Sequence, residues 1–159
     1  MIALYFENPQ NTGKTTTLKK LIHILEHNGA TQIATSRQYA QKIDDANCDV
    51  WAVLEMQLKE RKVYIGVITA GDSTDAITSR YTAMMNKLKR TDETIALDAL
   101  LFAKHPKFQC DEWLNSIAKE KFGITGQDFI DAGVIGATND QINQARAEYL
   151  YQMLLNLLG

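Results

Sequence analysis

The stretch Asn8-Pro9-Gln10-Asn11-Thr12-Gly13-Lys14-Thr15 decides how the rest of the chain is read. Before it stands Ile2-Ala3-Leu4-Tyr5-Phe6, a run short and apolar enough for a buried strand, which Glu7-Asn8-Pro9 ends because proline cannot continue a central ladder. After it a helical pattern covers residues 14–27, with Leu18, Leu21, Ile22 and Leu25 on one stripe and Asn28-Gly29 as its stop. The order is strand, glycine-bearing loop, helix.

Such a junction suits an anion. Backbone N–H groups from Gln10 to Thr16 and the helix N-terminus present partial positive charge to phosphate oxygens. Lys14 adds a mobile cation over the terminal phosphates, and the Thr15 hydroxyl is a hard oxygen ligand for Mg²⁺. In this context Gly13-Lys14-Thr15 resembles the phosphate-binding loop of the P-loop NTPase family. One position departs: the family's first glycine is Asn8 here, so the pattern is N-x4-G-K-T. Asn visits positive φ more readily than most residues, which makes it a tolerable substitute, although its Cβ narrows the approach to a ligand. The resemblance implies ATP and Mg²⁺ as cofactors. It also implies a cradle formed by Asn8, Gln10, Asn11, Thr12, Gly13, Lys14, Thr15 and Thr16.

A chain of 159 residues is the size of one domain, here 1–159, and the apolar fraction of 45% with 23% charged residues is globular rather than disordered. The net charge of −2 gives no broad electrostatic footprint for nucleic acid. Cys48 and Cys110 lie far apart and suggest neither a metal spacing nor a disulfide framework. No stretch reaches the apolar length of a membrane span, and the N-terminus reads as a strand rather than a signal peptide, so the cytoplasm is the default compartment. His23 and His27 are spaced i, i+4 but project away from the apolar stripe and lack a third ligand; they read as a solvated face.

Beyond the first helix, residues 31–35 are a weak strand candidate and residues 36–48 a polar loop carrying Arg37. Residues 49–56 and 63–70 are two apolar, β-rich runs whose connector, residues 57–62, is too short for a crossover helix; they predict an antiparallel hairpin. Gly71-Asp72-Ser73 then leads into a helical stripe at Ile77, Tyr81, Met84 and Leu88. If the 63–70 strand runs parallel to the first strand, Asp72 lies at the loop's edge of the sheet, and the antiparallel partner brings Asp49 there as well. Asp72 thus reads as a catalytic or metal-water contact resembling a Walker B acid, with the N-cap role shared among Asp72, Ser73 and Thr74 as the alternative. Thr15, Asp72 and Asp49 are the candidate metal contacts.

Residues 95–103 read as a further buried strand with its core at 99–103, followed by Lys104-His105-Pro106-Lys107 at the same edge; Asp98 is either exposed at its start or a buried acid needing a partner. Residues 110–122 predict a helix facing Trp113 and Ile117 inward and broken by Gly123 and Gly126, and residues 129–135 a short last strand. A terminal helix capped by Asn139 or Asp140 carries Ile142, Ala145, Tyr149, Met153 and Leu157 on one stripe, widened by Leu150, Leu154 and Leu158. That face either covers the sheet or pairs with another copy or another protein.

The fold expected is therefore α/β, three-layered and P-loop NTPase-like, with a mostly parallel sheet, one antiparallel hairpin and helices on both faces. Over residues 2–105 the order resembles small prokaryotic P-loop ATP-binding proteins. Three functions stand open. The first is a Mg-ATP-binding NTPase with Lys14 and Asp72 in catalytic roles. The second is a small-molecule or nucleotide kinase, for which Arg37, Arg80, Lys104 and His105 are the acceptor contacts on offer. The third is a nucleotide-responsive module without turnover. The Asn-Lys-x-Asp pattern that reads guanine is absent from the sequence.

Overall fold

The structure, a computed structural model, describes residues 1–8, 13–36, 49–71, 73–125 and 139–159. Strand β1 (Ile2–Glu7) leads to helix α1 (Lys14–His27), and β2 (Thr31–Thr35), β3 (Trp51–Leu58) and β4 (Arg61–Ile68) follow. Helix α2 (Thr74–Thr91), strand β5 (Ala99–Lys104), the short helix α3 (Asp111–Ile117), strand β6 (Glu120–Thr125) and helix α4 (Asn139–Leu158) complete the described elements.

The six strands form one sheet in the order β2-β3-β4-β5-β1-β6. β1 sits between β5 and β6, parallel to both, and β4 is parallel to β5. Among the described strands β3 alone points the opposite way, antiparallel to both β2 and β4. Period-two alternation splits the sheet's side chains between two cores. Leu4, Phe6, Ile65, Val67 and Leu101 face α1 and α4, where they meet Leu18, Leu21, Ile22, Leu25, Leu150 and Leu154. Ala3, Ile68, Leu100 and Phe102 face α2 and α3, against Ile77, Met84, Leu88 and Leu114. Fully burying each large apolar side chain contributes about 1.5–3 kcal/mol, so these two layers on a central sheet hold the domain together. No helix among the described residues is long and apolar enough to cross a membrane.

The hairpin expected over 49–56 and 63–70 is present but tighter and shifted. Its strands continue through Leu58 and resume at Arg61, leaving Lys59 and Glu60 as the turn, with Lys59 in the left-handed region at φ 56°. A two-residue hairpin turn favours positive φ because that matches the strands' own twist. Asp98 sits just before β5 and has partners: it accepts from the Tyr64 backbone N–H at 2.8 Å and from Arg61 at 3.0 Å.

Two other expectations fail. The helix expected over 110–122 stops at Ile117; Ala118 is already extended, at φ −117° and ψ 140°. The Lys119 N–H then bonds to the Met1 carbonyl, and residues 120–125 pair with β1 in parallel register. Local helix preference yields here to the open edge of β1, an instance of pairing overriding propensity. Gly123 is part of that strand rather than a helix stop. It faces Tyr5, whose ring would lie 2.9 Å from any added Cβ. In α4 the buried stripe is Asn143, Ala147, Leu150, Leu154 and Leu158, while Tyr149 is exposed. The apolar residues flanking that stripe pack at its margins, so the helix is rotated from the expected face, and its N-terminal half turns a polar residue inward. The strand expected over 129–135 lies outside the described residues.

Candidate functional site

The carboxyl ends of β1, β4 and β5 share one edge, and the start of α1 faces it. Gly13 stands immediately before α1 in the left-handed region, at φ 85° and ψ 21°. The helix it opens has no side-chain cap and no acidic residue in its first turn, so its first N–H groups and the positive end of its dipole are not answered by a carboxylate of that turn. Lys14 is buried at 8% exposure and donates from Nζ to the Asn8 carbonyl at 3.1 Å. Its stem crosses the end of the sheet: a Cβ on Gly71 would stand 3.4 Å from Lys14 Cε and 2.7 Å from the Ala103 carbonyl oxygen. Glycine is required at position 71 because the lysine and the end of β5 occupy the space a side chain would take.

Thr15 and Asp49, 34 residues apart, meet at this edge. Thr15 Oγ1 lies 3.2 Å from Asp49 Oδ1 and 3.2 Å from the Thr69 carbonyl, two acceptors for its single proton. The meeting depends on Thr69, which is fully buried just beyond β4. Its hydroxyl donates to the Val50 carbonyl at 3.1 Å and accepts the Val50 N–H at 2.8 Å, while its own N–H bonds the same carbonyl at 2.9 Å. That clamp ties the chain before β3 to the chain after β4 and so fixes Asp49 beside Thr15. Thr69 was not among the residues singled out from the sequence; the available signal was a hydroxyl closing an apolar run.

On the α3 side of the same edge, Lys104 is also buried, with Nζ 2.7 Å from Glu7 Oε1 and 2.9 Å from the Phe108 carbonyl, and 5.9 Å from the centre of the Tyr5 ring. Two of its three N–H donors are thus engaged by Glu7 and the 105–108 turn. His105 is engaged in that turn as well, Nδ1 accepting the Lys107 N–H at 3.1 Å. Arg80 lies on α2 and donates to the Ala76 carbonyl. Burial raises the Tyr5 phenol above its ordinary range, with the negative charges of Glu7 and Asp111 adding to it. Burial likewise raises the Cys110 thiol, against which the nearby Lys104 cation acts. Cys110 is buried in the core facing α2 and α3. Replacing Lys104 with Met leaves the partly exposed Glu7 carboxylate without its cation. The expected loss is roughly 1–3 kcal/mol of stability, read as a lower urea midpoint at unchanged slope.

Asn143 was likewise not singled out. The α4 residue is buried at 9% exposure, accepts from Thr17 Oγ1 at 3.3 Å, and sits so close over Gly13 that an added Cβ would fall 2.2 Å from its Oδ1. Helices α1 and α4 are further joined by Lys20 and Asp140 at 2.9 Å. Ser73, not Asp72, caps α2, accepting the Ala76 N–H at 3.0 Å. Asp72 itself, Gln10, Asn11, Thr12 and Arg37 lie outside the described residues, and Thr16 is exposed at the helix start.

One hollow lies near this edge and another lies away from it, along the helices. The first, of about 700 Å³, lies between the starts of α2 and α3, lined by Thr74, Gln109, Cys110, Asp111, Glu112 and Trp113. The other, about 910 Å³, runs between α1 and α4 past Lys20, His23, His27, Gln144, Glu148 and Tyr151. The second is larger, but its polar groups are spread along two exposed helix faces, whereas the buried cation, the left-handed glycine and the paired Thr15 and Asp49 converge at the loop. Among the described residues no three His, Cys, Asp or Glu side chains cluster as a metal site. No protein-family model, curated protein or solved structure matches the chain.

Proposed function

We propose that the chain binds ATP with Mg²⁺ at the junction of β1 and α1 and hydrolyses it. The observation that carries this reading is the buried Lys14 ammonium beside the left-handed Gly13 at an uncapped helix N-terminus. A buried cation beside a positive dipole end favours a multiply charged anion, and a polyphosphate is one that can reach both the helix N-terminus and the lysine. Lys14 would leave the Asn8 carbonyl for the β/γ phosphates and stabilise charge as it moves to the leaving oxygen. Thr15 would turn an oxygen lone pair to the metal, and Asp49 would accept hydrogen bonds from the metal's waters. Mg²⁺ keeps several waters and takes few protein ligands, so one hydroxyl and one carboxylate fit it without a three-residue cluster. When bound, the ion neutralises phosphate charge. Asp72 remains the candidate for orienting the attacking water.

The hollow beside Trp113 keeps the kinase reading as the alternative, although Lys104, one of its candidate contacts, is paired with Glu7. Titration of the purified protein with ATP and GTP, with and without Mg²⁺, followed by phosphate release, tests the assignment. The expected result is Mg²⁺-dependent ATP binding with free phosphate as product. Transfer to a nucleoside, nucleotide or sugar faster than phosphate release would favour the kinase; binding with no turnover would favour the nucleotide-responsive module.

A further inference from the structure

We propose that the side-chain amide of Asn8 is a phosphate-binding donor that recognises the outermost phosphate of the bound chain, so that this site separates triphosphate from diphosphate through a residue where the resembling family carries glycine. The inference rests on the nucleotide reading above and deepens it.

Backbone need does not account for Asn8. The left-handed conformation that would favour Gly or Asn is not adopted there: among the described residues Lys59 is the only non-glycine with positive φ. What distinguishes the residue is its side chain. Asn8 is 6% exposed, and among the described residues its Nδ2 is buried without a hydrogen-bond partner. A buried amide donor left unpaired is unfavourable, and such groups recur where a ligand supplies the missing acceptor.

The position identifies the acceptor. The Asn8 N–H bonds the Lys104 carbonyl at 3.2 Å, pinning the residue at the end of the β1–β5 ladder. Its carbonyl holds Lys14 Nζ, so by covalent geometry the amide lies within one short side chain of the ammonium. The nearest carboxylate in sequence, Glu7, is engaged by Lys104. The Lys14 ammonium, held by the Asn8 carbonyl, and the Asn8 amide thus stand at two ends of one residue, and one tetrahedral phosphate offers oxygens to each. Lys14 spans from the start of α1 to Asn8 at the end of β1. A chain whose inner phosphates rest on the helix N-terminus brings its outermost phosphate to Asn8.

Calorimetric titration of wild type, Asn8→Ala and Asn8→Asp with Mg²⁺·AMPPNP and with Mg²⁺·ADP, paired with unliganded melting curves, tests this. Asn8→Ala is expected to weaken AMPPNP binding about tenfold or more, the scale of a hydrogen bond to a charged group, and to leave ADP within about twofold. Its unliganded melting temperature should not fall, because an unpaired donor is removed. Asn8→Asp, isosteric but anionic, is expected to weaken AMPPNP further still. Equal effects on the two nucleotides, or none on either, overturn the role of Asn8 while leaving the nucleotide site standing. Failure of the wild type to bind either probe overturns the nucleotide reading itself and this inference with it.

Discussion

On the proposed function, replacing Lys14 with alanine is expected to lower nucleotide hydrolysis by about a hundredfold or more while the protein keeps its fold. The catalytic loss follows from removing a positioned cation from the place where charge develops, an effect worth about 10²–10³ in rate when one donor of a preorganised site is lost. The intact fold follows from where the lysine lies. Its stem packs against the end of the sheet rather than within either apolar core, so the two cores keep their contacts when it is removed. Phosphate release and urea denaturation on the same preparation separate the two statements. An undiminished rate in a folded Lys14→Ala protein would remove the lysine from the mechanism.

Gly13→Ala is expected to be the more damaging change for the fold. Two independent penalties meet at this position. The left-handed backbone at φ 85° costs a residue with a Cβ about 1–2 kcal/mol. The Cβ itself would stand 2.2 Å from Asn143 Oδ1, forcing that buried amide to move and break its bond with Thr17, an overpacking penalty of about 1–3 kcal/mol. Together these place the loss at about 2–5 kcal/mol. The double variant Gly13→Ala/Asn143→Ala divides them, because truncating Asn143 removes the collision but not the backbone strain. Its stability should recover relative to the sum of the two single changes, a positive coupling measured by a double-mutant cycle. Strict additivity would mean that Asn143 does not press on the loop.

These two residues also show how far local sequence reaches. Gly13-Lys14-Thr15 between an apolar run and a helical stripe was legible because strand, loop and helix each leave a short-range signature. The hairpin followed from its short connector, and the expectation that Asp49 comes to the loop followed on the condition that the 63–70 strand runs parallel to the first; that β4 lies beside β5 came from the structure. The structure puts Asp49 against Thr15. Residues 110–122 were misread because helix and edge strand differ there only in what lies alongside, and β1 is more than a hundred positions away. Lys104 looked like an available cation because nothing local announces that Glu7, on another strand, is its register partner.

The residues alone carried the α/β order of elements, the phosphate-suited loop and the residue types gathered at one sheet edge, all of which depend on spacings of a few positions. Tertiary contact decided the rest. The Thr69 clamp that seats Asp49, the Gly71 gap that admits Lys14, the inward turn of Asn143 over Gly13 and the burial of the Asn8 amide are properties of pairs far apart along the chain. Periodicity reports which side of an element is apolar; only packing decides which distant atom that side meets.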